Sequence, residues 1–197
     1  RVTQRDADDQ ILRKFRLAMS VNGEYTAYHG GTVAGALAAI NATMTRVNAV
    51  FETDMSVTFE VQDFPELIYT DAGTDPYSGG SLSAWNVELQ NTLTSTIGNA
   101  AYDIGHMFGA SGGGGNAGCI GCVCVDDSAS TSDRNKGAGI TSPADGIPEG
   151  DNFDIDYVAH EIGHQMGANH TFSHSTEGAG VNAEPGSGST IMGYAGI

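Results

Sequence analysis

Basic residues are scarce in this sequence: 8 Lys and Arg stand against 24 Asp and Glu, a formal charge of −16 over 197 residues. Five of the eight (Arg1, Arg5, Arg13, Lys14 and Arg16) lie within the first sixteen positions, and from residue 17 onward 21 acids face three bases. Such a surface repels phosphate backbones and anionic lipid, which excludes nucleic acid and membrane as partners; the excess reads first as a solvated acidic shell. No apolar run approaches the roughly 20 residues of a membrane-spanning helix. The run Gly112 to Gly115 lacks the Lys and Ser/Thr of a GxxxxGK[ST] loop, so it is a flexible loop rather than a phosphate cradle. Cysteine is limited to Cys119, Cys122 and Cys124. A cysteine-only zinc knuckle needs four ligands, and Cys122 and Cys124 cannot bridge within one extended strand. The odd count leaves a free thiol or a partner outside the chain.

What the chain does contain is His160-Glu161-Ile162-Gly163-His164-Gln165-Met166-Gly167-Ala168-Asn169-His170, which reads HExxHxxGxxH. Imidazoles at i and i+4 stand on one face of a helix, so His160 and His164 can hold a metal ion between them. Glu161 projects about a quarter turn away, where it can reach a water beside that metal. Gly167 permits the left-handed residue that ends the helix and brings His170 back as a third nitrogen ligand. Three neutral histidines leave the fourth tetrahedral position of zinc open, the mark of a catalytic site.

Around this stretch the pattern predicts one α/β domain over 1–197. Alternation places strands at Phe15–Val21 and Met55–Val61, with a turn at Asn22–Glu24. Val33, Leu37, Ile40, Met44, Val47 and Val50 fall at helical spacing, so a long helix covers Gly31–Thr53 and lies on a sheet. Leu67–Tyr69 is a short extended segment before a loop, Asp71–Ser81. Ser83 is taken as the cap of a second helix through Trp85, Leu89, Leu93 and Ile97 to about Asn99. Tyr102–Phe108, the apolar stretch Ala117–Val125 and Gly139–Thr141 read as further strands. His106 reads as a satisfied histidine beside the sheet rather than a ligand. His174 lies in a loop and is not needed by a site that already has three histidines. Asp151 to Asp154 place acids at the start of the active-site helix, where its dipole favours them; Asp154 and Asp156 are read as capping rather than calcium ligands.

Gly188-Ser189-Thr190-Ile191-Met192-Gly193-Tyr194 follows the long zinc signature, and the two together resemble the metzincin metallopeptidases with their Met-turn. Asn169-His170-Thr171-Phe172 and Glu184-Pro185-Gly186-Ser187-Gly188-Ser189-Thr190-Ile191-Met192 are similar to the bacterial reprolysin-like peptidases, relatives of the adamalysins. The resemblance implies a metzincin fold: a twisted mixed five-stranded sheet with two long helices above a zinc-bearing active-site helix. Residues 1–167 form an upper subdomain and 168–197 a small, irregular, partial lower one. It implies a secreted zinc endopeptidase acting on proteins or peptides, with Met192 as an apolar floor under the metal and Glu161 as general base to a zinc-bound water. Substrate would pair with an edge strand near Gly118-Cys119-Ile120. Tyr194 occupies the place where astacins and serralysins, though not adamalysins, carry a tyrosine that ligates zinc and swings away to support the oxyanion. Cys124 matches the strand cysteine that bonds beyond the Met-turn, which points to a partner past Ile197. The charged opening Arg1-Val2-Thr3-Gln4-Arg5-Asp6 is no signal peptide, and metzincins are generally secreted zymogens, so a mature, processed form is expected. A catalytically silent binding scaffold and an autolysis product are the alternatives; Glu161 argues against the first.

Adamalysins often hold calcium opposite the cleft, between a first-strand glutamate and an aspartate after the second helix. Asp103 matches the aspartate, but Arg16 stands where the glutamate would be. A guanidinium repels a dication, so no calcium is expected at Asp103; an Arg16–Asp103 ion pair is expected instead.

Overall fold

A computed structural model describes residues 10–77, 81–128, 130, 132–173 and 181–193. The first strand, β1 (Arg13–Val21), lies inside the sheet with a parallel neighbour on each side. It is followed by α1 (Gly23–Tyr28), α2 (Val33–Met55) and β2 (Val57–Val61), then α3 (Leu82–Thr96), β3 (Ile104–Phe108), β4 (Gly114–Asn116) and β5 (Gly139–Ser142). A π-helical segment, Asn152–Ala159, runs directly into α4 (His160–Gln165). The sheet order is β2-β1-β3-β5-β4; all pairings are parallel except β4 against β5.

The central strands are buried on both faces, and alternate side chains feed two cores. Leu17, Met19 and Val21 join Ile104 and Phe108 beneath α2 and the active-site helix, where Ile40, Met44, Val47, Phe153, Val158 and Ile162 pack. Ala18, Met107 and Ile140 point the other way, toward Trp85, Leu89 and Leu93 of α3. The two long helices therefore take opposite faces of the sheet. Asn48 of α2 grips β2 with both ends of its amide, donating to the Phe59 carbonyl at 2.9 Å and accepting from the Phe59 N–H at 2.8 Å.

Several local expectations shift for identifiable reasons. Asn22–Glu24 is not a plain turn: the Asn22 side chain accepts the Tyr25 N–H at 3.0 Å and so starts α1. Leu67–Tyr69 contributes only a bridge between Ile68 and Val21, because Pro65–Leu67 is coiled into a 3₁₀ turn. The cap of α3 is Ser81, whose hydroxyl accepts the Ala84 N–H, and not Ser83. The strand expected over Ala117–Val125 does not form. Gly118, Gly121 and Cys124 all take positive φ, which breaks an extended chain; the edge strand is instead β4, drawn from the glycine run read as a loop. Asp151 and Asp154 do not cap the active-site helix through their side chains. They bind Arg46 of α2, with Asp154 only 4% exposed and 2.7 Å from the guanidinium.

The Arg16–Asp103 pair forms as the sequence suggested. Asp103 receives Arg16 Nη2 at 2.7 Å, Nε at 3.1 Å and the Arg16 backbone N–H at 2.8 Å. These bonds tie β1 to the segment entering β3, and the Arg16 side-chain hydrogen bonds hold the Asp103 carboxyl below its ordinary 3.8. A carboxylate whose folded pKa is depressed stabilises the fold above its unfolded pKa, and that contribution is lost as pH falls through the folded value. Asp103→Asn is accordingly expected to melt about 2–4 °C lower than the parent at pH 7. Thermal melts in acid should show the gap closing as pH falls below 3.8.

Candidate active site

α4 is short, but it is the end of a longer helical rod that is π-helical over Asn152–Ala159 and turns α-helical at His160. Its apolar side, Phe153, Val158, Ala159 and Ile162, is buried in the core beneath α2 and sets the height of the rod. The rod ends where Gly167, at φ +111°, turns the chain back; the Gly167 N–H donates to the His164 carbonyl at 2.9 Å and the Ala168 N–H to Gly163 at 3.0 Å. His170 then returns alongside the helix, with its ring stacked on Phe172 at 5.1 Å between centroids.

The Nε2 atoms of His160, His164 and His170 converge, 3.0 Å, 3.0 Å and 3.1 Å apart. They form the metal-capable cluster found among the described residues. His160 Nδ1 donates to the Ile191 carbonyl at 2.6 Å and His164 Nδ1 to the Ala168 carbonyl at 2.7 Å. Each proton is thereby assigned to Nδ1, which turns a lone pair on Nε2 toward the common centre. Tetrahedral zinc with Zn–N of ~2.0–2.1 Å spaces its nitrogens about 3.3–3.4 Å apart, so this donor set fits the ion with a small outward relaxation. Water-borne chemistry has room too, since three protein ligands leave a coordination position open.

Glu161 faces the sheet. It is 8% exposed, accepts the backbone N–H of Ala117, and lies so close over Gly115 that any Cβ there would overlap its carboxyl group. Burial pushes the carboxyl up to about 8, with the Ala117 bond acting the other way; a neighbouring dication also opposes the rise. Met192 lies against the helix: its sulfur stands 2.7 Å from where a Cβ on Gly163 would be. Met192 and Ile191 share an apolar cavity of about 390 Å³ with Phe51, Met55, Gly163 and Met166.

The turn that carries Met192 is organised by Glu184, a residue whose part was not read from the sequence. Its carboxylate accepts the Ser189 and Thr190 N–H groups and the Thr190 hydroxyl, which hold it down near 2. Parallel bridging of Phe172 with Glu184 then links the His170 segment to the turn.

Other expected residues fall into place unevenly. His106 is fully buried and satisfied on both nitrogens, and burial lowers it to about 4. Gly118, Cys119 and Ile120 lie in bends after β4, at the rim beside α4; the Gly121 N–H donates to the His164 carbonyl at 3.0 Å. Cys119 is bonded to Cys122, and Cys124 is a free, exposed thiol. Tyr194, His174 and Ile197 lie outside the described residues.

The sequence matches metallo-peptidase family M12B, reprolysin-like, over residues 12–197. The chain belongs to that family. No curated protein matches it. This reprolysin-like chain is a zinc metalloendopeptidase acting on protein substrates, with His160, His164 and His170 as its zinc site. None of its helices, among the described residues, is long and apolar enough to cross a membrane.

One zinc per chain is expected, and X-ray absorption should report three nitrogens at about 2.0–2.1 Å. Chelation should lower the melting temperature, because the ion binds the folded chain far better than the unfolded one. One equivalent of zinc should restore it; His164→Ala should respond to neither treatment.

Proposed function

We propose that the peptidase cleaves extended polypeptide with Glu161 as general base. The observation that carries this is the Glu161 carboxyl, borne next to the ligand His160 on the same helix and held against Gly115 of the edge strand by the Ala117 N–H. Bound zinc supplies polarisation of the scissile carbonyl and acidification of a water. Glu161 takes the proton of the attacking water and delivers it to the leaving amine, so no charge is stranded on nitrogen as the peptide bond breaks.

Substrate lies along the sheet edge, pairing beside β4 and passing the rim residues Gly118, Cys119 and Ile120. The antiparallel edge position of β4 and its approach to Glu161 support this reading. Met192 is the apolar support of the metal helix, favoured by its contact with Gly163. Tyr194, two residues on, acts as an oxyanion donor by its likeness to the tyrosine of astacins and serralysins. Residues 1–167 and 168–197 are the upper and lower parts of one catalytic domain. The protein is secreted and arises from a zymogen, as the family resemblance suggests. A silent binding scaffold would have no use for a carboxyl kept against Gly115.

Glu161→Gln should retain one zinc and lose about 10²–10⁴-fold in casein cleavage. Near-normal cleavage by the zinc-loaded variant would refute the assignment. Tyr194→Phe should lower kcat by about a hundredfold with KM little changed, the signature of a group that acts on developing charge.

A further inference from the structure

Glu161 is one of two side chains that α4 turns toward the sheet. Gln165 stands one turn further on, at i+4, and lies over Gly139 as closely as Glu161 lies over Gly115; a Cβ on either glycine would overlap the side chain above it. The two glycines occupy the last two strands, where Gly115 pairs with Thr141 and Gly139 pairs across to His106. His160 and His164, also i and i+4, occupy the neighbouring stripe that faces the metal. Rotation of α4 about its axis would shift the Glu161 carboxyl against the sheet edge, whereas the His160 and His164 rings can turn about their own side-chain bonds and are held by other carbonyls; something must therefore set the angle for the base.

The Gln165 amide does so through a directed chain of buried hydrogen bonds. Gln165 Nε2 donates to the Gly105 carbonyl of β3 at 2.9 Å, which leaves Oε1 as the acceptor. His106 Nδ1 donates to that oxygen at 2.8 Å, and the Thr141 hydroxyl donates to His106 Nε2 at 2.9 Å. Gln165 is 2% exposed, and His106 and Thr141 are fully buried. Every donor and acceptor in the chain has one role only, so the arrangement has a single state. The His160 and His164 imidazoles are oriented by bonds of their own, to the Ile191 and Ala168 carbonyls.

We infer that Gln165, held by His106 and the Gly105 carbonyl, is a positioning residue that fixes the rotation of α4 and so the alignment of Glu161 over the sheet edge. It rests on Glu161 being the base. Misplacement by about an ångström costs up to about a hundredfold in rate, whereas ligand geometry set elsewhere leaves metal binding intact.

The test compares two substitutions in the same buried chain. Gln165→Met cuts the tether to the helix, and Thr141→Val removes the far hydroxyl while leaving the tether in place. Each leaves a buried polar partner unpaired, so both should lower the melting temperature. With casein as substrate, Gln165→Met should lose about 10–100-fold in kcat with KM within about twofold. Its zinc affinity, measured by chelator competition without turnover, should stay within about threefold of the parent. Thr141→Val should lose no more than about threefold in kcat. Equal kcat losses in the two variants, or zinc affinity falling in step with kcat, would overturn the inference. Should Gln165→Met not fold, Gln165→Asn takes its place: an amide one methylene shorter cannot span Gly105 and His106 together, and the same kcat loss is expected. A Glu161→Gln variant that still cleaves overturns the base assignment itself. A dead Glu161→Gln beside a fully active Gln165→Met overturns only the positioning.

Discussion

Three imidazole lone pairs aimed at one point repel one another, and only a cation at that point makes the arrangement favourable. The rest of the active-site region depends on this. The histidines come from the helix and from the segment after Gly167, and His160 is further bound to the turn that carries Met192. A single ion therefore joins the helix to the segment after Gly167, and His160 carries that connection on to the turn. Among the described residues after Gly167, only Phe172 and Gly193 are buried. Where a core would normally hold the chain together, coordination and the hydrogen bonds of Glu184 do so.

The sheet and its two long helices are held by different forces. Parallel strands buried on both faces supply two apolar layers, and ion pairs join elements across them: Arg16 with Asp103 beside the strands, Arg46 with Asp151 and Asp154 between helices. In a chain so poor in bases, two of the few arginines are committed to these joints. The acidic excess elsewhere is left to solvent, where it acts on solubility rather than on fold.

The zinc ligands were legible because they rest on residue type and spacing, and the Arg16–Asp103 pair because the family resemblance set the two positions side by side. A histidine pair at i and i+4 can be recognised without knowing what surrounds it. The edge strand was not legible: glycine carries no side-chain pattern, so Gly114–Asn116 looked like a loop while the apolar stretch after it looked like a strand. The segment carrying the positive φ of Gly118, Gly121 and Cys124 is held by tertiary neighbours: Ala138 against Gly118, the His164 carbonyl on the Gly121 N–H and the Asp103 carbonyl on the Cys124 N–H. Gln165 escaped notice for a related reason. In the motif it sits at a position free to vary, and its partners, Gly105, His106 and Thr141, are distant in sequence. His106 was correctly read as satisfied, but nothing in the sequence named what satisfied it.

The sheet is complete by Ser142, whereas every zinc ligand lies at or after residue 160. During synthesis, the strands and the helices α2 and α3 can therefore emerge and pack before the ribosome has made any part of the metal centre. Synthesis runs at about 5–20 residues per second, so every strand leaves the ribosome before the ligands do. A nascent chain of this kind passes through its most exposed and cleavable stage with no hydrolytic apparatus of its own. Cutting power arrives last, when the segments it could attack are already folded away.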